Sequence, residues 1–245
     1  MKKRYVFLGV FAVLVIVAAT VFLAFSRQGY FMTVGMRGFT QIQKDIFADE
    51  NLQHSTEQVM PLIQEAQGRL LEFWGEVQSK PKIIISDDKQ KLISMGWNGS
   101  PALTTSYVFC GAHSYVLISP EGLTVDVIAH ELTHAELHAR LYHGKMSFFK
   151  AVPVWFDEGL AAQTDYRERY SENAWQKLRQ SGKEYPPFSE LESAEQFYAE
   201  DGELRKAYYI LSRHEVAQWI AGNGRDGLKD MIERLNRGES FADIY

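Results

Sequence analysis

His130-Glu131-Leu132-Thr133-His134 is the stretch whose residue types and spacing can do chemistry. Residues four apart on a helix share a face, so both imidazoles can reach one metal ion. Zinc favours such nitrogen ligands at about 2.0–2.1 Å, and a catalytic zinc site keeps one position open for water. Glu131 stands one residue along, at the edge of that face. There it can take a proton from the zinc-activated water and pass it to a leaving amine. Leu132 points the other way, into the core. The plainer alternative is two surface histidines beside a solvated glutamate.

Two histidines need a third protein ligand. Position 140 is Arg, so no histidine stands six residues past His134. His138 continues the same face. Each turn advances about 5.4 Å, however, so three histidines in a row on one helix do not converge easily on one ion. His138 therefore reads as a supporting or surface group, and His143 lies beyond it. Glu158 is the better candidate, in Val154-Trp155-Phe156-Asp157-Glu158-Gly159-Leu160-Ala161. It begins an expected helix 24 residues after His134, room for a loop and a return. Gly159 and Ala161 are small enough to let that helix pack closely on the motif helix. Asp157 is the neighbouring alternative. The non-ligand reading of Glu158 is an acid at a helix N-terminus, favoured by the dipole.

The elements that must position these groups follow from periodicity. Apolar residues from Ser55 to Val77 recur at helical spacing and predict an amphipathic helix. Lys82 to Ser86 is short and β-branched, a buried strand. Thr104–Cys110 and Ser114–Ser119 predict two strands joined around Gly111-Ala112-His113. Helical spacing resumes from Leu123 to about Tyr142, with Gly144 as a cap. Further helices are expected at 157–170, 189–199, 205–221 and 226–236. The order predicts an α+β fold. Residues 27–54 read as a linker or loosely docked lead-in, and 55–245 as one domain.

Ahead of that domain, Tyr5 to Phe25 carries no charge and follows Lys2, Lys3 and Arg4. Twenty-one helical residues reach roughly 30 Å, the thickness of a bilayer core. Residues 1–26 therefore predict a transmembrane signal anchor, with a cleaved signal peptide as the alternative. Either places the body outside the cytoplasm, in the manner of a bacterial cell envelope protein. Beyond residue 26 the chain has 23 basic against 31 acidic residues, a balance of −8. That argues against nucleic acid as a partner. The single cysteine, Cys110, excludes an intramolecular disulfide framework and a Cys-rich zinc module.

The two motifs together, His130-Glu131-Leu132-Thr133-His134 and Trp155-Phe156-Asp157-Glu158-Gly159-Leu160-Ala161, resemble the gluzincin zinc metallopeptidases. The likeness is closest to the compact peptidase MA-like group. Ala207-Tyr208-Tyr209-Ile210-Leu211-Ser212 resembles that group's tyrosine-bearing helix, and Gly227-Leu228 with Ile232, Leu235, Gly238 and Phe241 its closing helix and tail. The resemblance runs over residues 80–245. It implies a zincin-like fold, with a small sheet over the motif helix and helices after it. It implies Zn2+ bound by His130, His134 and Glu158, with Glu131 as general base and then acid. It also implies a tyrosine, Tyr209 or Tyr208, donating to the oxyanion, with ordinary helix packing as the alternative for both. The strand at 114–119 would be the edge along which a peptide or protein substrate lies, with His113 and Tyr115 lining the groove. The Asp that many gluzincins carry four residues after the ligand Glu is Ala162 here. Asp126, one turn before His130, is a candidate substitute, although an acid in the first turn of a helix is the simpler reading.

The leading expectation is thus a membrane-anchored zinc peptidase. A zinc-stabilised module that binds an envelope partner without cutting it is the alternative, and hydrolysis of a non-peptide amide such as a cell-wall crosslink a third. The small size and a narrow groove would also fit an enzyme kept latent until a partner, a regulatory envelope protein, opens it.

Overall fold

The computed structural model describes residues 11, 13–18, 20–22, 26–107, 113–141 and 151–245. Successive strand residues point to opposite faces of a sheet. Ile83, Ile85, Val116 and Ile118 are buried on one face, and Ile84, Tyr115 and Leu117 on the other. Strands apolar on both sides must be covered on both sides, and this sheet is.

It has five strands: β1 (Phe39–Gln43), β2 (Ile46–Asp49), β3 (Lys82–Ile85), β4 (Ala102–Tyr107) and β5 (His113–Ile118). Their spatial order is β1-β2-β3-β5-β4. The outer pairs β1/β2 and β4/β5 are antiparallel, and the inner pairs β2/β3 and β3/β5 are parallel. One face packs against α2 (Thr56–Trp74) and α4 (Val125–Leu141). The other is covered by α1 (Arg27–Met32), the turn Val34–Met36 and α3 (Lys89–Ser94). The α2 stripe of Val59, Ile63, Ala66, Leu70 and Trp74 faces the core. Its start is tied by Gln58 Oε1, which accepts the Ser55 N–H at 2.9 Å. After α4 come α5 (Val154–Ala161), α6 (Glu172–Gln180), α7 (Ala194–Phe197), α8 (Gly202–Arg237) and α9 (Phe241–Ile244). α8 is interrupted at Gly224, whose φ of 70° and ψ of −177° are non-helical.

The α+β expectation matches a mixed sheet with flanking helices, but several particulars are corrected. Among the described residues no helix is long and apolar enough to cross a membrane. The expected membrane-spanning helix, and the anchored location drawn from it, are therefore withdrawn. Of the run Tyr5–Phe25, residues 5–10, 12, 19 and 23–25 lie outside the described residues. Residues 27–54, expected as a linker or loosely docked lead-in, contribute β1 and β2 to the same sheet and α1 to the layer that covers one face. Their burial is substantial: Phe31, Val34 and Phe39 are at most 2% exposed.

The strand over 114–119 is not an edge. β5 lies between β3 and β4, and β4 is the edge. Tyr115 does not line a groove beside the motif helix. It is on the sheet face away from α4, stacked on Phe31 with ring centres 4.1 Å apart, and His113 shares its parity. The helix expected over 157–170 starts at Val154 and stops at Ala161. Cys110, His143 and Gly144 lie outside the described residues.

Candidate metal centre

α4 carries the motif because its first turn is tied and its faces are apolar. The Thr124 hydroxyl accepts the Val127 N–H at 3.3 Å, and Val127, Ile128, Leu132 and Leu137 enter the core. His130 and His134 then emerge on one face. α5 crosses them because Gly159 lets it sit close to α8. A β-carbon there would stand 2.4 Å from the Ser212 carbonyl oxygen and 2.7 Å from a Val216 methyl. The small residue thus serves contact with α8, not with α4 as expected.

The result brings together His130, His134 and Glu158, three buried residues whose donor atoms all lie within 4.8 Å of one another and which can hold a metal ion. His130 Nε2 is 3.1 Å from Glu158 Oε2 and 3.2 Å from His134 Nε2, and the third side, His134 Nε2 to Glu158 Oε2, is 3.5 Å. Donors bound at about 2.0–2.1 Å around a tetrahedral ion lie about 3.3 Å apart. The observed triangle fits that spacing without rearrangement.

The outer nitrogens are turned away from the triangle by carboxylates. Asp157 Oδ1 is 2.6 Å from His134 Nδ1. Asp165 Oδ2 faces the buried His130 Nδ1 at 3.5 Å, a charged contact rather than a well-formed hydrogen bond. Such partners set the tautomer that points Nε2 at a metal. Asp157, an alternative ligand on sequence grounds, therefore orients a ligand instead. Its other oxygen is 3.3 Å from His138 Nε2, whose Nδ1 is 3.0 Å from Ser106 Oγ on β4. His138 is thus a supporting group. Asp126 does not substitute for the acid missing at Ala162. Its Oδ1 takes Arg69 Nη1 at 2.6 Å and the Tyr166 N–H at 3.1 Å, joining α2 to the loop after α5. Asp165 fills the role because the chain turns after Ala162, and Arg167 grips it with Nε 2.8 and 3.0 Å from its two oxygens.

Among the described residues, three carboxylates, Asp157, Glu158 and Asp165, face the imidazoles of His130 and His134, and Arg167 pairs with Asp165. Such a pocket favours added positive charge. Burial alone would lower the His130 pKa, but Asp165 and Glu158 outweigh it and push it up to about 9. Burial is likewise overcome at His134, which Asp157 and Glu158 raise well above its ordinary value. Glu158 is held far below the usual carboxylate range, against burial, by His134 and His130. No protein-family model, curated protein or solved structure matches the chain.

Glu131, on the same turn as the histidines, is 8% exposed. Its Oε2 is 2.7 Å, and its backbone oxygen 2.9 Å, from Thr104 Oγ1 on the edge strand. Of the two tyrosines, Tyr209 has its ring 6.4 Å from the His130 ring. Burial, then Glu158, raise its pKa well above the ordinary value, so the hydroxyl stays a donor. Tyr208 is buried, and the charges it senses are Glu190 and Asp201, none of them at the centre. The sequence reading did not single out Tyr198, which donates its hydroxyl to Glu158 Oε1. It also missed Thr104 and Asp165. Asp165 alone carried a signal, as the next carboxylate after the vacant position 162.

Proposed function

We propose that the chain is a zinc metallopeptidase of the gluzincin kind, hydrolysing peptide bonds in a peptide or protein substrate. The observation that carries this reading is the triangle of His130 Nε2, His134 Nε2 and Glu158 Oε2 at 3.1–3.5 Å, with a further buried carboxylate, Glu131, on the same helical turn as the two histidines and outside that triad. A site built only to hold a metal has no use for that fourth group.

A zinc ion held by the three residues supplies Lewis acidity, which lowers the pKa of water and polarises a carbonyl oxygen. Glu131 takes a proton from the attacking water as its oxygen bonds to the scissile carbonyl carbon. When the C–N bond breaks, Glu131 returns that proton to the departing nitrogen. Thr104 holds the Glu131 carboxylate in place for both transfers. Tyr209 keeps its proton and donates to the oxyanion that develops on the carbonyl oxygen. Among the described residues the edge strand β4 pairs on one side only, with β5, and an extended substrate could pair along its other side.

Zinc content of the full chain, wild type beside Glu158→Ala, is the first test. One zinc per chain is expected, lost or greatly weakened in the variant. Zinc-loaded protein should then cleave denatured protein and stop when a chelator is added. Zinc without cleavage of any amide would make the chain a zinc-stabilised binding module. Cleavage of cell-wall fragments but not of protein would change the substrate class. No zinc in metal-replete wild type would remove the proposal.

A further inference from the structure

The two oxygens of Glu158 keep different company. Oε2 faces His130 Nε2 at 3.1 Å and His134 Nε2 at 3.5 Å, whereas Oε1 accepts the hydroxyl of Tyr198. A carboxylate can give a cation one oxygen or both. Giving both consumes coordination space that a catalytic zinc site must keep open. We infer that Tyr198 is a positioning residue that restricts Glu158 to metal ligation through Oε2, an inference that rests on the zinc reading above.

The placement of Tyr198 suits that task. It follows α7 directly, and the last residue of α7, Phe197, is fully buried. Phe197 packs edge-on against Tyr198, with ring centres 5.4 Å apart, and against Tyr209 at 5.1 Å. Gln196 Oε1 accepts the Ser193 N–H at 3.0 Å and ties the start of the same turn. The hydroxyl is therefore delivered from an anchored turn. Tyr198 is itself 44% exposed while Glu158 is 5% exposed, so the side chain runs from the surface to the ligand. A hydroxyl donated to an ionised oxygen is among the stronger hydrogen bonds, and it makes Oε1 a poorer metal donor.

The test compares full-length wild type with Tyr198→Phe, which keeps the ring and removes the hydroxyl. Tyr166→Phe, a change at an exposed tyrosine, is the control. Zinc affinity is measured by competition with a chelator, and the visible spectrum of the cobalt(II)-loaded protein reports coordination number. In Tyr198→Phe the zinc Kd should rise about 10–100-fold. The cobalt band should weaken several-fold per bound ion as Oε1 turns inward and coordination number rises. Intensity is read per bound cobalt, so partial folding does not mimic the change. A Tyr198→Phe protein with wild-type affinity and spectrum overturns the inference while leaving the zinc site standing. A weakened affinity with an unchanged cobalt spectrum also overturns it, because Glu158 would then ligate identically without the hydroxyl. Wild type that binds neither metal overturns the zinc reading and this inference with it.

Discussion

α4 buries ionisable groups in two places, around His130, Glu131 and His134 and, further along, around Glu136 and Arg140. Glu136 is fully buried and balanced on the spot. Its carboxylate takes the Gln78 N–H at 3.0 Å, the Ser79 N–H at 2.8 Å and Arg140 Nε at 2.7 Å. Arg140 also reaches the Glu76 carbonyl at 2.8 Å and lies over the Trp74 ring at 4.6 Å. Charge and donors are matched, and the pair pins the loop after α2 to the middle of the fold. The motif end is unmatched: carboxylates exceed guanidinium, and His130 Nδ1 has no well-formed hydrogen bond. Burial is tolerated there because protons, or a metal, supply the missing charge. One helix thus separates a self-sufficient ion pair, which is costly to break, from a charge-deficient cluster of the kind found at functional sites.

The contrast is tested most severely by paired substitutions. Glu131→Gln should lower turnover by about 10²–10⁴-fold. Zinc content and thermal midpoint should stay at the wild-type values, and a comparable loss of stability would place Glu131 in the structural class. Glu136→Ala should do the reverse. It leaves a guanidinium and two backbone N–H groups buried without their acceptor, at a cost of about 3–5 kcal/mol in urea unfolding. Activity per folded molecule should not change.

Asp165→Asn keeps the size of the side chain and removes the charge facing His130 Nδ1. Zinc affinity should fall about tenfold by chelator competition, with little change in metal-free stability beyond that ion pair. An unchanged affinity would mean that Asp165 serves Arg167 alone.

The smallest effect is on pH. In the metal-free protein the His130 pKa is raised to about 9, above an unfolded value of about 6.5. The stability from this shift is complete below about 6.5 and is lost as pH rises through 9. The melting temperature of the metal-free chain should therefore decline across that window. The zinc-loaded chain, whose ligand imidazoles are already deprotonated, should not follow it, and zinc should bind more tightly as pH rises from 6 to 8. Parallel declines in both forms would remove His130 as the cause.

The candidate triad was legible only in part from local rules. His130 and His134 share a helical face by spacing alone, whereas spacing left Glu158 open between a ligand and an acid at a helix start, and its small neighbour Gly159 packs on α8 rather than on the motif helix. The supporting residues depend on chain reversals that no local pattern announces. Asp165 reaches His130 only because α5 ends at Ala161, and Tyr198 reaches Glu158 across 40 positions. The edge strand was misassigned for a similar reason. β4 and β5 are adjacent in sequence, and which one lies outside is decided by β3, pairing in parallel from 33 residues away. β1 and β2 were hidden by glycines and mixed polarity, although both complete the sheet.

Gly224 gives the two regions of α4 separate fates in time. The part of α8 before it carries Tyr209, its ring centre 6.4 Å from that of His130. The part after it packs Leu228, Met231 and Ile232 into the core, and its Asn236 donates to the Arg140 carbonyl at 2.8 Å. A break in the helical hydrogen-bond ladder lets each half open without unwinding the other. In native-state hydrogen exchange the amides on the two sides of residue 224 should therefore report different opening free energies, so that the wall beside the His130, His134 and Glu158 cluster can breathe while the clamp stays shut.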